Sequence, residues 1–268
     1  MARGANNTID ILIKTQKEID LIERSCRIVA ETLSLIEKYV VPGADTLEID
    51  QIAEDYIRSK GARPAFKGYE VEGKFFPNTL CCSINEEIVH GIPGSRKLNE
   101  GDIVSFDCGA EKDGYFGDSA VTYAVGKIGQ ETQKLLDVTL QALMLGLEQA
   151  IDKNKLYDVS RAIQEHVEKN GFSLTRELVG HGIGKNLHEE PPVPNFVPAL
   201  LHRSRYPNVK LKKGMALAIE PMVHMGDKEV RSHEDGWTII TADGSPAAHF
   251  EHTVIVDDNK PLILTLRD

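Results

Sequence analysis

The sequences GDIVSFD at residues 101–107 and GMALAIE at residues 214–220 follow one pattern. Each begins with a glycine, continues through a mostly apolar run that is typical of a buried strand, and ends in a carboxylate. Farther along, Asp118 leads into SAVTYAV and Glu251 leads into HTVIVDD. Each half of the chain therefore supplies two carboxylates that adjoin apolar strands, which indicates an internal duplication.

Helical patterns also occur twice. The apolar spacing predicts helices over residues 16–39, 45–61, 130–150 and 157–170. Asp45 and Glu48 resemble a capping box, and Gly61 and Gly171 each follow the second helix of a pair. Strands are expected at residues 84–89, 102–107, 119–125, 216–220, 237–241 and 253–256.

A chance similarity between the two halves is a simpler explanation of the repeat, and the order of elements leaves it open. Any two stretches in which a pair of helices precedes strands look alike, so the pattern of elements alone does not establish duplication. The matched carboxylates favour it. We therefore expect one domain over residues 1–268, with a pseudo-repeat at roughly residues 14–127 and 128–258.

The composition excludes several classes of protein. The chain has 268 residues, of which 41% are hydrophobic and 27% charged, as in an ordinary globular protein. The formal net charge of −10 disfavours a basic nucleic-acid binder, and apolar runs are too short to span a bilayer. The N-terminal stretch lacks the features of a signal peptide, so we expect a cytoplasmic protein.

The four cysteines are Cys26, Cys81, Cys82 and Cys108, and they fit free thiols in a reducing compartment. The side chains of the adjacent pair, Cys81 and Cys82, are expected to point to opposite sides of a strand.

The carboxylates point to metal ions. Asp107 follows apolar residues, where an ionised group is costly to bury without a partner, whereas Asp113 is an ordinary turn residue. If the two halves face each other, four carboxylates converge and repel unless cations are present. His181, between glycines, is a candidate imidazole ligand. A lone histidine is more often a surface residue than a ligand, but His188 follows closely. Oxygen ligands with one imidazole suit Mn, Fe, Co or Zn.

Six motifs then appear in order, and together they cover nearly the whole chain. They are SINEEIVHGIP at residues 83–93, the pair Asp107 and Asp118, GHGIG at 180–184, HEEP at 188–191, IEPM at 219–222 and EHT at 251–253. With these motifs the chain resembles the type I methionine aminopeptidases of the short bacterial form. The resemblance implies the pita-bread fold of the α/β (α+β) class, in which helices of two pseudo-symmetric halves pack on a central, mostly antiparallel β-sheet.

The resemblance also implies a dinuclear centre of two divalent ions, either Co, Mn, Fe, Zn or Ni. Asp107 would hold one ion, Asp118 and Glu251 would bridge both, and His181 with Glu220 would complete the other. Such a centre activates water and polarises the scissile carbonyl. Because one metal can also hold a free α-amine, the family acts as exopeptidases.

Three further roles carry over by resemblance. His188 would hydrogen-bond the substrate carbonyl oxygen, His90 would contact the substrate amide nitrogen, and Glu220 would shuttle the proton. A monovalent cation is expected near Asn85. The walls of the methionine pocket would be Tyr69, Phe76, Cys81 and Trp237.

The sequence departs from the family pattern in two places. The link at residues 70–75 is longer than usual. It changes the spacing by which Tyr69 and Phe76 are assigned to the pocket. Leu187 occupies a position where many relatives carry an aromatic residue, which would widen the pocket.

The resemblance implies removal of the initiator methionine from nascent polypeptide N-termini, at the ribosome, when the second residue is small. We expect a monomer that binds neither membranes nor specific nucleic-acid sequences. The locally basic segment 196–213 is a candidate for contact with ribosomal RNA, although a solvated loop is the simpler interpretation.

Three alternative identities share features with this sequence. A prolidase or aminopeptidase P would share the fold but would have different histidine and glutamate motifs. A noncatalytic protein- or RNA-binding member would lack metal ligands, and none is missing here. A type II methionine enzyme would carry a large insertion between His181 and Glu220, which this sequence lacks.

Overall fold

The computed structural model of the protein describes residues 11–267. The four helices of this part are α1 (Gln16–Ile36), α2 (Thr46–Ser59), α3 (Gln130–Glu148) and α4 (Leu156–Lys169), with short 3-10 helices at Glu37–Tyr39 and Leu200–His202. All four predicted helices are confirmed. Asp45 caps α2 by accepting a hydrogen bond from the Leu47 amide at 2.9 Å. In the described residues, however, that bond comes from Leu47 rather than from the Glu48 amide, and the Glu48 carboxylate accepts none from the Asp45 amide, so the predicted capping box does not form.

The strands of the first half are β1 (Arg63–Pro64), β2 (Glu70–Val71), β3 (Lys74–Phe75), β4 (Leu80–Ile84), β5 (Glu87–Val89), β6 (Ile103–Lys112) and β7 (Tyr115–Ala124). They include two hairpins, β2–β3 and β6–β7. The predicted single strand at 84–89 is wrong, because Asn85 has φ 55° and turns the chain between β4 and β5. That left-handed conformation ends the regular pleat.

The strands of the second half are shorter. They are β8 (Ser173–Leu174), β9 (Gly180–Gly182), β10 (Glu189–Val193), β11 (Ala216–Ile219), β12 (Met222–His224), β13 (Val230–Ser232), β14 (Ile239–Thr241), β15 (Ala247–His249), β16 (His252–Ile255) and β17 (Leu262–Ile263). The strand expected from Trp237 begins two residues later, at Ile239, because Asp235 accepts hydrogen bonds from the Trp237 and Thr238 amides and forms a turn there.

The named strands pair antiparallel throughout, and the pairing order is the same in both halves. In the first half β6 lies between β4 and β7, and in the second half β11 lies between β9 and β16. A pair of helices precedes each of these three-strand units in sequence. The order of elements therefore recurs, and the internal pseudo-repeat stays a prediction.

The two halves meet where β7 runs beside the segment that leads into β16. The Glu251 amide donates to the Ala120 carbonyl at 3.0 Å. The Ser119 hydroxyl donates to the Glu251 carbonyl at 2.6 Å, and the Thr253 hydroxyl donates to the Asp118 carbonyl at 2.7 Å. Asp118 and Glu251 therefore lie opposite each other at the junction of the halves.

The hydrophobic core lies between the helices and these strands. Its main cluster includes Phe106, Leu33 and Cys82, all nearly inaccessible to solvent. Cys81 instead packs in a smaller cluster with Phe76, so the two adjacent cysteines point to opposite sides of β4 as predicted. None of the helices in residues 11–267 combines the length and the apolar character that a membrane crossing requires.

Candidate metal centre and substrate cavity

A cavity of about 450 Å³ lies between the two halves. It is lined by every side chain that the sequence predicted as a metal ligand, a catalytic group or a pocket wall. These are Tyr69, Phe76, Cys81, His90, Asp107, Asp118, His181, His188, Glu220, Trp237 and Glu251. The structure therefore brings together residues that lie far apart in the sequence, from Tyr69 to Glu251.

Asn85, where a monovalent cation was expected, is not among the lining residues. Its side-chain amide donates to Asp102 at 2.8 Å, and its side-chain oxygen accepts from the Ile103 amide at 3.0 Å. The main-chain carbonyl of Asn85 accepts from the Ala247 amide at 2.8 Å. The cation site stays a prediction.

The first two carboxylates lie within one long hairpin. Strand β6 continues past Asp107, and β7 begins before Asp118, so neither acid is in the connecting turn. Asp107 pairs with Ala120, and Asp118 pairs with Gly109. This register makes the two acids diagonal neighbours on one face of the hairpin, where side chains can meet.

The second half delivers its ligands from three neighbouring chain segments. Glu220 directly follows β11, Glu251 directly precedes β16, and His181 is the central residue of β9. The His181 Nε2 atom lies 3.9 Å from Asp118 Oδ2 and 3.8 Å from Glu220 Oε1. Ligand atoms of Asp118, His181 and Glu251 all lie within 4.8 Å of one another.

Glycines on both sides of His181 permit this close approach. A Cβ atom at Gly180 would lie 2.3 Å from the Ala218 carbonyl oxygen, and one at Gly182 would lie 2.3 Å from the Glu190 carbonyl oxygen. Only residues without side chains allow β9 to fit between its neighbours. The paired glycines in the sequence therefore have a steric cause.

The hydrogen bonding of His181 suits a metal ligand. Its Nδ1–H donates to the Gly182 carbonyl at 2.8 Å, which leaves the Nε2 lone pair facing the carboxylates. Burial lowers the pKa of His181 to about 3, so the ring is neutral at physiological pH. A neutral imidazole with a free nitrogen is the form that binds metals.

The carboxylates are too crowded to remain ionised without cations. Burial raises the pKa of Asp107 to about 7 and that of Glu220 to about 8. Burial and the neighbouring acids raise the pKa of Asp118 and Glu251 well above the usual range. Neither lysine nor arginine lines the cavity in the described part of the chain.

Unpaired oxygen atoms indicate where the missing positive charge belongs. Among the described residues, Asp107 Oδ1, Asp118 Oδ1 and Glu251 Oε1 are buried and have no hydrogen-bond partner. Buried carboxylate oxygens without partners are costly unless they bind a cation. Oxygens with one imidazole are ligands of divalent ions, so this donor set fits the predicted metal centre.

The two predicted catalytic histidines lie on opposite halves of the cavity. His90 follows β5 in the left-handed conformation, with φ 60°, and burial lowers its pKa to about 4. His188 precedes β10 at the exposed mouth of the cavity. The His188 ring meets the His181 ring edge-on, with centroids 4.4 Å apart.

An apolar pocket adjoins the carboxylates. Phe76 and Trp237 pack edge-to-face with ring centroids 5.2 Å apart, and Cys81 and Leu187 belong to the same cluster. The long link at residues 70–75 does not displace Tyr69 from this wall. Its residues form the β2–β3 hairpin, and the Phe76 amide donates to the Tyr69 carbonyl at 2.9 Å across the base of that hairpin.

Sequence reasoning missed two residues that contact the site. His249 is buried, and its Nε2 atom lies 3.4 Å from Glu220 Oε2. Its position depends on the pairing of β15 with β12, in which His249 faces Met222. Lys14 forms a buried ion pair with Glu189, beside His188. The only sequence signal for His249 was its proximity to Glu251, and Lys14 had none.

Comparison with known proteins places this geometry in a family. Residues 20–258 match metallopeptidase family M24. The chain belongs to this family. A methionine aminopeptidase of Clostridium perfringens is 48% identical over 256 residues, which cover 96% of this chain and 99% of that protein. The predicted use of divalent metal ions follows from membership in this metallopeptidase family.

Solved structures confirm the pita-bread fold of this M24 metallopeptidase. The crystal structure of a methionine aminopeptidase from Thermotoga maritima superposes with a TM-score of 0.89 and is 42% identical, covering 96% of this chain and all of that chain (100%). A prolidase from Pyrococcus furiosus has a TM-score of 0.76 at 22% identity, and this chain covers 66% of it. At that identity the prolidase shows a shared fold alone.

Proposed function

We propose that this M24 metallopeptidase removes the N-terminal methionine from polypeptides. The observation that carries the proposal is a single cavity in which a cluster of buried acids adjoins an apolar pocket. The acids provide a metal centre for hydrolysis, and the pocket provides a place for one apolar side chain. Relatives that match over nearly their full length are methionine aminopeptidases.

Five residues would hold two divalent ions in the proposed enzyme. These would be Asp107, Asp118, His181, Glu220 and Glu251, of which Asp118, His181 and Glu251 bring ligand atoms within 4.8 Å of one another. The bound ions would supply water activation and polarisation of the scissile carbonyl. Which metal is loaded in the cell depends on availability, because the same ligands accept several ions.

The protein's own groups would orient the substrate and move the proton. His188 would donate a hydrogen bond to the carbonyl oxygen as negative charge develops there. His90 would contact the amide nitrogen of the leaving group. Glu220, whose Oε1 atom lies 3.8 Å from His181 Nε2, would carry the proton from the attacking water to that nitrogen.

The pocket would select methionine by shape and polarity. Its walls, Tyr69, Phe76, Cys81 and Trp237, together with Leu187, offer aromatic and sulfur contacts to a flexible thioether side chain. A free α-amine would be required at the metal centre, so the enzyme would act only at chain ends. We expect a preference for small residues after the methionine.

The expected substrates are nascent chains that still carry the initiator methionine. We infer that the enzyme acts as a monomer in the cytoplasm, close to the ribosome where such N-termini emerge. Residues 14–127 and 128–258 would be the two repeats of one catalytic domain. The shared order of helices and strands supports this division.

Substrate competition tests the proposal. Purified protein would be stripped with a chelator, restored with Mn, Fe or Co, and assayed on Met-Gly-Xaa and Xaa-Pro peptides in parallel. We expect cleavage of the methionine peptides alone, and only after metal is restored. Cleavage of the Xaa-Pro peptides alone would replace the proposal with a prolidase activity, and full activity after stripping would exclude the metal centre.

A further inference from the structure

A hydrogen bond joins the two halves of the molecule across the mouth of the cavity. The Tyr69 Oη atom lies 2.8 Å from His188 Nδ1, although the two residues are 119 positions apart. Their rings also meet edge-on, with centroids 5.4 Å apart. Tyr69 therefore does more than contribute an apolar wall to the pocket.

Both partners lie in segments that are held by other contacts. The Tyr69 amide donates to the Phe66 carbonyl at 2.8 Å, and the Tyr69 carbonyl accepts from Phe76 at the base of the β2–β3 hairpin. On the other side, Leu187 is buried before His188, and Glu189 is paired with Lys14 after it. The bond is consequently formed between two anchored segments.

Either group can donate in this bond, but the chemistry of the two groups favours donation from Tyr69. A phenol is a good donor, and the unprotonated nitrogen of a neutral imidazole is a good acceptor. Burial raises the pKa of Tyr69, so the phenol retains its proton at neutral pH. If Tyr69 donates to Nδ1, the single ring proton of neutral His188 must be on Nε2.

We propose that Tyr69 is a positioning residue that sets the tautomer of His188, so that His188 presents an Nε2–H donor to the cavity. The inference rests on the proposed function, in which His188 donates to the substrate carbonyl oxygen. A histidine with its proton on Nδ1 would offer that oxygen only a lone pair. The Tyr69 hydroxyl thus prepares the donor before substrate arrives.

The direct test is nitrogen NMR of the full-length protein labelled with ¹⁵N-histidine and loaded with Zn²⁺, repeated after chelation. We expect His188 to show an unprotonated Nδ1 and a protonated Nε2 in the wild type, and a mixture of tautomers in Tyr69→Phe. The matched control is Tyr115→Phe, which removes a hydroxyl that bonds to Glu18 at 3.1 Å, away from the cavity. A wild-type spectrum with the proton on Nδ1 would overturn the proposal without any variant.

Kinetics provide the second measurement. Tyr69→Phe keeps the ring, so KM should stay within about twofold while kcat falls about tenfold, the rate equivalent of one neutral hydrogen bond. In a His188→Ala background the same change should have no further effect on kcat. An additive effect there would mean that Tyr69 acts independently of His188. Loss of Met-Gly-Xaa cleavage by the wild type would refute the proposed function, while the NMR result would still decide the tautomer.

Discussion

Asp107 and Asp113 lie on the same hairpin but in opposite environments. Asp113 is in the turn, half exposed, and its carboxylate lies 3.4 Å from the Arg24 guanidinium. Asp107 faces the cavity, where burial raises the pKa of its carboxyl to about 7 and its Oδ1 atom has no hydrogen-bond partner. The residue type alone therefore does not distinguish a metal ligand from a turn residue. A buried carboxylate oxygen without a hydrogen-bond partner does distinguish them.

Isosteric amides separate these two acids experimentally. Asp107→Asn should remove a ligand charge from the centre, lowering bound divalent metal below two ions per chain and reducing kcat by at least about 10². Asp113→Asn is the matched control, because asparagine tolerates the same turn. Metal content would be measured by elemental analysis alongside peptide hydrolysis. Two tightly bound ions and full turnover in Asp107→Asn would contradict its assignment as a ligand.

At the level of elements, the contact between α1 and β7 positions Asp118. Gly117 directly precedes that acid, and a Cβ atom there would lie 2.5 Å from the Cys26 backbone nitrogen in α1. The obstacle is main chain, which cannot rotate away. The helix and the strand therefore touch backbone to backbone at the residue before a predicted metal ligand.

A single methyl group tests this contact. Gly117→Ala should lower the free energy of unfolding by about 2 kcal/mol or more, because overpacking against backbone forces β7 away from α1. Metal affinity should fall as well, since Asp118 moves with β7. Gly94→Ala is a suitable control, because its nearest atom, the Ile92 carbonyl oxygen, is 4.0 Å from the added Cβ. Equal unfolding midpoints in urea for both variants would show that the contact is not restrictive.

At the level of the whole molecule, the start of the described chain is attached to the catalytic cavity. The Lys14 amide donates to the Gly214 carbonyl at 2.8 Å, and its ammonium group pairs with Glu189. The two charged side chains are only 4% and 5% exposed. This ion pair joins the N-terminal segment to the loop that carries His188.

Breaking the pair should be costly, because one charge would remain buried alone. Lys14→Met is expected to lower the free energy of unfolding by about 3 to 5 kcal/mol, and Lys14→Met combined with Glu189→Gln should recover much of that loss. Lys17→Met, at an exposed position, is the control. Chemical denaturation with and without bound metal provides the measurement. A double variant less stable than Lys14→Met would argue against an unpaired Glu189 as the cause.

Much of the site could be predicted from local sequence. The helices follow from apolar periodicity and from glycines after their ends, since these signals act within a few residues. The acids attracted attention because each adjoins an apolar strand. The ordered motifs, through the family resemblance, then predicted the histidines and acids that line the cavity. The predicted strand at 84–89 failed because the left-handed turn at Asn85 separates β4 from β5.

The sequence by itself determined the helices, the apolar strands and the residue types available for metal binding, because these depend on neighbours along the chain. Only the tertiary structure decided which groups meet. The contact of His249 with Glu220, the pairing of Lys14 with Glu189 and the bond from Tyr69 to His188 each join residues that are distant in sequence. Such contacts depend on strand register and on the packing of one half against the other, which no local pattern encodes.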